Sequence, residues 1–278
     1  IDFAEFSLAK KALKMGMEQH PQNVELMLLK SEILQFDGAH KQAEDLLFEI
    51  ERISPKHEEI FLQRANIYSK KKDHSKAIHL LEKVLDLTDE PFEIWSLLGM
   101  EHLFLEDYNK AKEYFYKCVK NNTLDYSSLY NLLHCNEQVG QYMESISILN
   151  DLLEINPYSE VAWHQLGKVY IKVNKPEEAL SAFEFAIISD DCFAGAYIEK
   201  AKLLEKIGRI NEAIDNYEFS LNFNDPNAFV KHRIGLCHLK LGNDKLAVRY
   251  LEESIKLEPN HEKSWITLID FLIDTKDY

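Results

Sequence analysis

The sequence predicts an all-α fold, a solenoid of stacked helical hairpins, and three observations carry that prediction. Of 278 residues 46% are hydrophobic, while only 9 are Gly and 7 are Pro, too few breakers for a chain rich in loops and short strands. Apolar residues recur at i, i+3, i+4 and i+7, the spacing of an amphipathic helix. The pattern then returns every 34 residues, from starts at Val24, Glu58, Phe92, Tyr126, Glu160, Ala194, Ala228 and Glu262, with no insertion. Repetition at that period marks a repeat array.

Taking each start as position 1 places the elements. Helix A is expected over about positions 1 to 14 and helix B over about 15 to 28. Position 20, where two helices meet, is small throughout: Ala43, Ala77, Ala111, Ser145, Ala179, Ala213 and Ala247. Position 8 reads Ser31, Ala65, Gly99, Leu133, Gly167, Ala201 and Gly235, with Leu133 the one bulky member. The turn between helices falls at position 15, where Gly38, Gly140, Gly208 and Gly242, with Asn174, tolerate a left-handed cap. At position 32, Pro21, Pro55, Pro157 and Pro259 stop one helix before the next begins. In Lys175-Pro176-Glu177-Glu178 the proline opens helix B, and the two carboxylates suit the positive end of its dipole.

Within this register Trp163, Leu166, Gly167, Tyr170, Ala179, Phe183 and Ala186 reproduce the spacing W-x2-L-G-x2-Y…A-x3-F-x2-A, and the chain resembles the tetratricopeptide repeat (TPR) family. The resemblance implies a TPR helical-hairpin solenoid, wound as a right-handed superhelix. Residues 1–23 are then expected to be helix B of a preceding repeat, 24–261 seven full repeats, and 262–278 helix A of a further, truncated repeat. One hairpin cannot bury its own apolar face, so each repeat is stabilised by its neighbours. The terminal helix offers Trp265, Leu268, Ile269, Leu272 and Ile273. The chain is therefore expected to be part of a longer array, or to self-associate through uncapped terminal helices.

Charge and composition exclude several functions. A net charge of −15 argues against nucleic acid, whose backbone calls for excess Lys and Arg. Cys118, Cys135, Cys192 and Cys237 lie far apart without C-x-x-C or a His at ligand spacing, which suggests neither disulfides nor zinc. Free thiols and the lack of a membrane-length apolar run fit a cytoplasmic protein with no membrane segment. His102 and His238 share position 11 and are read as packing residues. No phosphate loop, nucleophile elbow or HExxH occurs. No enzyme, cofactor or metal is expected.

What remains is the inner surface. The resemblance implies that A helices line a concave groove, with positions 2, 5, 9, 12 and 13 facing a bound peptide. In the first three repeats these positions are acidic and apolar, with Leu62, Met100 and Phe104 among them. In the next four they include Tyr130, His134, His164, Lys168, Lys172, Lys202, Lys206, His232 and Lys240, against Glu137 and Glu205. Those nine residues form the candidate peptide-binding site, a positive stripe suited to an acidic partner, with the histidines offering protonatable nitrogens. The carboxylate clamp of chaperone-binding TPR proteins is matched only at Asn66 and is not expected. The expected function is a protein-interaction scaffold or adaptor. The alternatives are a dimerising or regulatory module of a larger protein, and a specificity module of an enzyme whose catalytic domain lies outside this chain.

Overall fold

A computed structural model describes residues 3–223 and 227–274, which form sixteen α-helices and no strand. The chain divides into two compact units, residues 1–140 and 141–278. The first holds α1 (Phe3–Gln19), α2 (Val24–Phe36), α3 (His40–Ile53), α4 (Glu58–Lys70), α5 (His74–Leu85), α6 (Phe92–Phe104), α7 (Tyr108–Asn121) and α8 (Tyr126–Gln138). The second holds α9 (Tyr142–Ile155), α10 (Glu160–Lys172), α11 (Pro176–Ser189), α12 (Ala194–Lys206), α13 (Ile210–Ser220), α14 (Ala228–Lys240), α15 (Asp244–Leu257) and α16 (Glu262–Asp274). Within each unit every helix packs on the next in sequence, the nearest-neighbour pattern of a repeat array.

The approach of the helices follows from side-chain size. Ala43, Ala77, Ala111, Ala179, Ala213 and Ala247 are all fully buried. Position 8 faces position 24 of the same hairpin, and the two trade volume. A Cβ added at Gly167 would lie 2.5 Å from Cε1 of Phe183, and one at Gly99 would lie 2.7 Å from Cε1 of Phe115. Gly235 stands in the same relation to Leu251, at 2.9 Å. Each ring therefore occupies the space that a side chain on the facing helix would need, and Phe115 and Phe183 are completely buried as a result. In the second unit Phe183 and Tyr217 join Ala179, Ala201, Ala213, Ile234 and Cys237 in one core that runs from α11 to α14. His102 and His238 are buried core residues, each stacked on a tyrosine one helix later, Tyr114 and Tyr250, with ring planes within 14° and 21°.

The A-to-B turns share one backbone solution. Gly38, Gly140, Gly208 and Gly242 have φ of 76°, 72°, 87° and 71°, and Asn174 has 57°. Lys72 and Glu106, at the same position in the second and third repeats, adopt it too, with φ of 61° and 58°. The next residue then donates its N–H back to the carbonyl five residues earlier, as in Asp73 to Tyr68, Asp107 to His102 and Lys175 to Tyr170, each at 2.9 Å. This is the Schellman closure, which satisfies helix-end carbonyls. At Lys72 and Glu106 the register of the array overrides the ordinary steric objection to a side chain in the left-handed region. The A helices open with side-chain caps where the sequence allows: Asn23, Asp125, Ser159 and Asn227 accept from backbone N–H groups of the first turn.

Two substitutions check this account by urea denaturation. Gly167→Ala should lower stability by roughly 1–3 kcal/mol, because Phe183 has no room to retreat. Glu106→Gly should raise it by about 1 kcal/mol by removing the left-handed strain, part of that gain being offset by added freedom of the unfolded chain. A neutral Gly167→Ala together with a destabilising Glu106→Gly would contradict the assigned packing and turn.

Candidate functional site

The nine candidate residues fall in both units. Tyr130 and His134 lie on α8 of the first unit; both are exposed, and His134 meets the Tyr108 ring edge-on at 6.2 Å. The other seven lie on α10, α12 and α14 of the second unit, where the structure sorts them by environment.

His164 sits between the rings of Phe183 and Phe193, with centroids at 5.9 and 5.1 Å. Burial, then the charge of Lys168, push its imidazole down to about 4. Lys202, from the next A helix, acts on it in the same direction. Lys168 is exposed, whereas Lys202 is partly covered: its ammonium reaches Glu199 at 2.8 Å and lies 5.1 Å from the Phe229 ring centre, 27 residues along the chain. Lys172 and Lys206 are exposed.

At α14 the expectation needs correcting. His232 is buried, 5% exposed, because it packs beside His261 and shares a hydrogen bond with the Thr267 hydroxyl at 3.2 Å. Burial, then the neighbouring His261, hold its imidazole at about 4. Neither His164 nor His232 therefore supplies a cation near neutral pH, contrary to the protonatable role expected from their positions.

Glu205, at a groove position by register, is buried, and it accepts from Arg233 Nη2 at 2.6 Å and from Lys240 Nζ at 2.7 Å. The buried Tyr217 hydroxyl completes the set at 3.3 Å. Burial pushes the carboxyl up, but Lys240 and Arg233 outweigh it and hold the group below its usual value, so it remains charged. Sequence spacing hides this arrangement, since its members lie 28 and 35 residues apart. The repeat register places them side by side: position 12 of one A helix meets positions 6 and 13 of the next. Lys240 is thus both a groove lysine and an inter-repeat tie, still half exposed.

The chemistry available here is ionic and apolar contact. Burial pushes the Cys135 thiol to about 11 and that of Cys237 to about 12, the reverse of an activated nucleophile. Among the described residues no helix is long and apolar enough to cross a membrane.

Comparison with known proteins agrees with this architecture. The model of the tetratricopeptide repeat family matches residues 58–91, 92–123, 161–187 and 230–261. Anaphase-promoting complex subunit 3 of Schizosaccharomyces pombe is 26% identical over 187 residues, 67% of this chain and 28% of that protein. The BBSome complex member BBS4 homolog of Drosophila melanogaster is 22% identical over 271 residues, 97% of this chain and 51% of that protein. The chain thus spans about half the length of these relatives or less. Among solved structures, the C-terminal part of a TPR repeat-containing protein from Cytophaga hutchinsonii superposes with a TM-score of 0.64 at 14% identity, covering 87% of this chain and 99% of that one. MamA from Desulfovibrio magneticus RS-1 gives 0.51 at 15% identity, covering 62% and 97%. At such identities the structural likeness speaks to the fold alone. The 34-residue register, the paired helices and the family matches are together consistent with a multi-repeat tetratricopeptide chain.

Proposed function

We propose that this chain is a protein-interaction scaffold whose second unit holds an acidic, extended segment of a partner across the A helices α10, α12 and α14. The observation that carries the reading is the recurrence of exposed or partly covered lysines on successive A helices, Lys168 on α10, Lys202 and Lys206 on α12, and Lys240 on α14, the last held by Glu205. A chain of net charge −15 that gathers lysines on one face of successive helices offers local attraction to carboxylates against a repulsive background. Fixing Lys240 on a buried carboxylate reduces the entropy lost when it meets a ligand. Two relatives bear names that make them members of multiprotein assemblies, the anaphase-promoting complex and the BBSome complex. The same kind of role, holding other proteins together, is the one assigned here.

The reading is tested with a fluorescent poly-glutamate peptide followed by anisotropy. Lys168→Glu with Lys202→Glu should weaken binding about tenfold or more, and binding should fall as salt rises. The same charge change at Lys175 and Lys245, on the B-helix side, should have little effect. Equal losses in the two double variants would reduce the stripe to a general charge effect and refute the site.

A second expectation concerns protons. The folded-state values of His164 and His232, about 4, lie below the ordinary 6.5. Between those limits the unfolded chain binds protons that the folded chain refuses, so stability should be full above 6.5 and decline as pH falls toward 4. The imidazole resonances of both residues should titrate near 4 by NMR, and His164→Phe should flatten the pH slope of the urea midpoint. Midpoints near 6.5 would place both rings in solvent.

A further inference from the structure

The B-helix side of the second unit carries a departure from the repeat pattern that the A-helix reading does not use. Position 26 points outward from helix B, and in five repeats it is charged: Glu49, Lys83, Lys117, Asp151 and Glu253. In the fifth and sixth repeats it is Phe185 and Phe219, 48% and 54% exposed. Position 29 behaves alike. It is Arg52, Asp86, Lys120, Glu154, Asn222 or Lys256 elsewhere, but Ile188 in the fifth repeat, 72% exposed. Both substitutions of apolar for charged residues fall in neighbouring repeats and meet at one place.

There Ile188 and Phe219 line a single cleft with Tyr197. Within it Tyr197 stacks on Phe219 with centroids at 5.9 Å, while Phe185, outside the lining, stacks on Trp163 at 4.6 Å. Its charged lining is Glu184, Glu212 and Asp215 against Lys200 alone. Lys200 answers Glu184 at 3.0 Å, and Arg209, from outside the lining, answers Glu212. Asp191 lies near enough to act on the Tyr197 hydroxyl, adding to the acidic rim. Along α13 the lining residues Glu212, Asp215, Asn216 and Phe219 follow i, i+3, i+4 and i+7, one face of a helix over two turns. That face is acidic with Phe219 at its end, and the apolar lining is completed by Ile187, Ile188 and Tyr197 from α11 and α12.

We infer that this cleft between α11, α12 and α13 is a second docking surface, and that its occupant is a basic amphipathic helix of a partner protein. Its apolar anchors seat on Ile188, Tyr197 and Phe219, and its Lys or Arg residues meet Glu184, Glu212, Asp215 and Asp191. Exposed apolar side chains beside a lining whose carboxylates outnumber its lysine three to one select for both properties together, since neither a neutral apolar helix nor a polar cationic one satisfies the two. This face is separate from the lysines of α10, α12 and α14 and takes a ligand of opposite charge. Failure of one reading therefore leaves the other standing.

The probe is a labelled helical peptide of Leu and Lys in amphipathic order, with two companions, one carrying Ser for Leu and one Glu for Lys. The Leu/Lys peptide should bind the wild-type chain, and both companions should bind at least about tenfold more weakly. Phe219→Gln leaves net charge and buried core unchanged, and should weaken the Leu/Lys peptide about tenfold while helicity stays constant. Glu49→Gln with Asp151→Gln, at the same register positions elsewhere, should have little effect. Equal binding of the Ser companion, or equal binding by the Phe variant, would overturn the proposal. So would light scattering in which the wild-type chain self-associates and the Phe variant does not, because the occupant would then be a second copy.

Discussion

In the hairpins whose position 8 is small, the fold depends on how closely helix A can approach helix B. That distance is set where positions 8 and 20 are small and position 24 is large, as at Gly167, Ala179 and Phe183. Ring and missing side chain occupy the same space, so the contact admits one arrangement, and a hairpin that meets it presents a defined apolar edge to the next. The left-handed turn at position 15 is subordinate to this packing. Lys72 and Glu106 accept φ near 60° because the two helices beside them leave no other path between fixed ends.

A uniform stack also does the work of placing charge. Successive A helices stack in register, with position 12 of one against position 13 of the next, so residues 35 apart, such as Glu205 and Lys240, meet directly. A buried carboxylate would be costly alone, but Arg233 and Lys240 compensate it from the following helix and are themselves oriented by it. The repeat thereby converts a packing register into a charge register. On the opposite side, where position 26 is ordinarily solvated, the same regularity brings Phe185 and Phe219 into neighbouring repeats and Ile188 to the cleft beside them.

Much of the fold could be read from sequence because its determinants are local and repeated. Small residues every 34 positions, Gly or Asn at the turn and Pro after helix B each report a steric demand that few residue types meet. Lys72 and Glu106 escaped that reading, since neither residue type advertises a positive φ. The environment of the site was less legible. His164 and His232 look like exposed cations by position, but their burial depends on Phe183, Phe193 and His261 from other helices. Glu205 holds a groove position by register, and its partners are likewise long-range. The aromatic departures at position 26, Phe185 and Phe219, are present in the sequence, but an apolar residue on a helix does not by itself show whether its face is covered.

If the second unit presents two faces of opposite chemistry, hydrogen–deuterium exchange on the intact chain separates them. Saturating poly-glutamate should slow exchange in α10, α12 and α14 and leave α11 and α13 unchanged, whereas the Leu/Lys peptide should slow α11 and α13, with the α12 segment around Tyr197, and leave α10 and α14 unchanged. Protection of the same helices by both peptides, or of none by either, would contradict the division of the surface on which both functional readings rest.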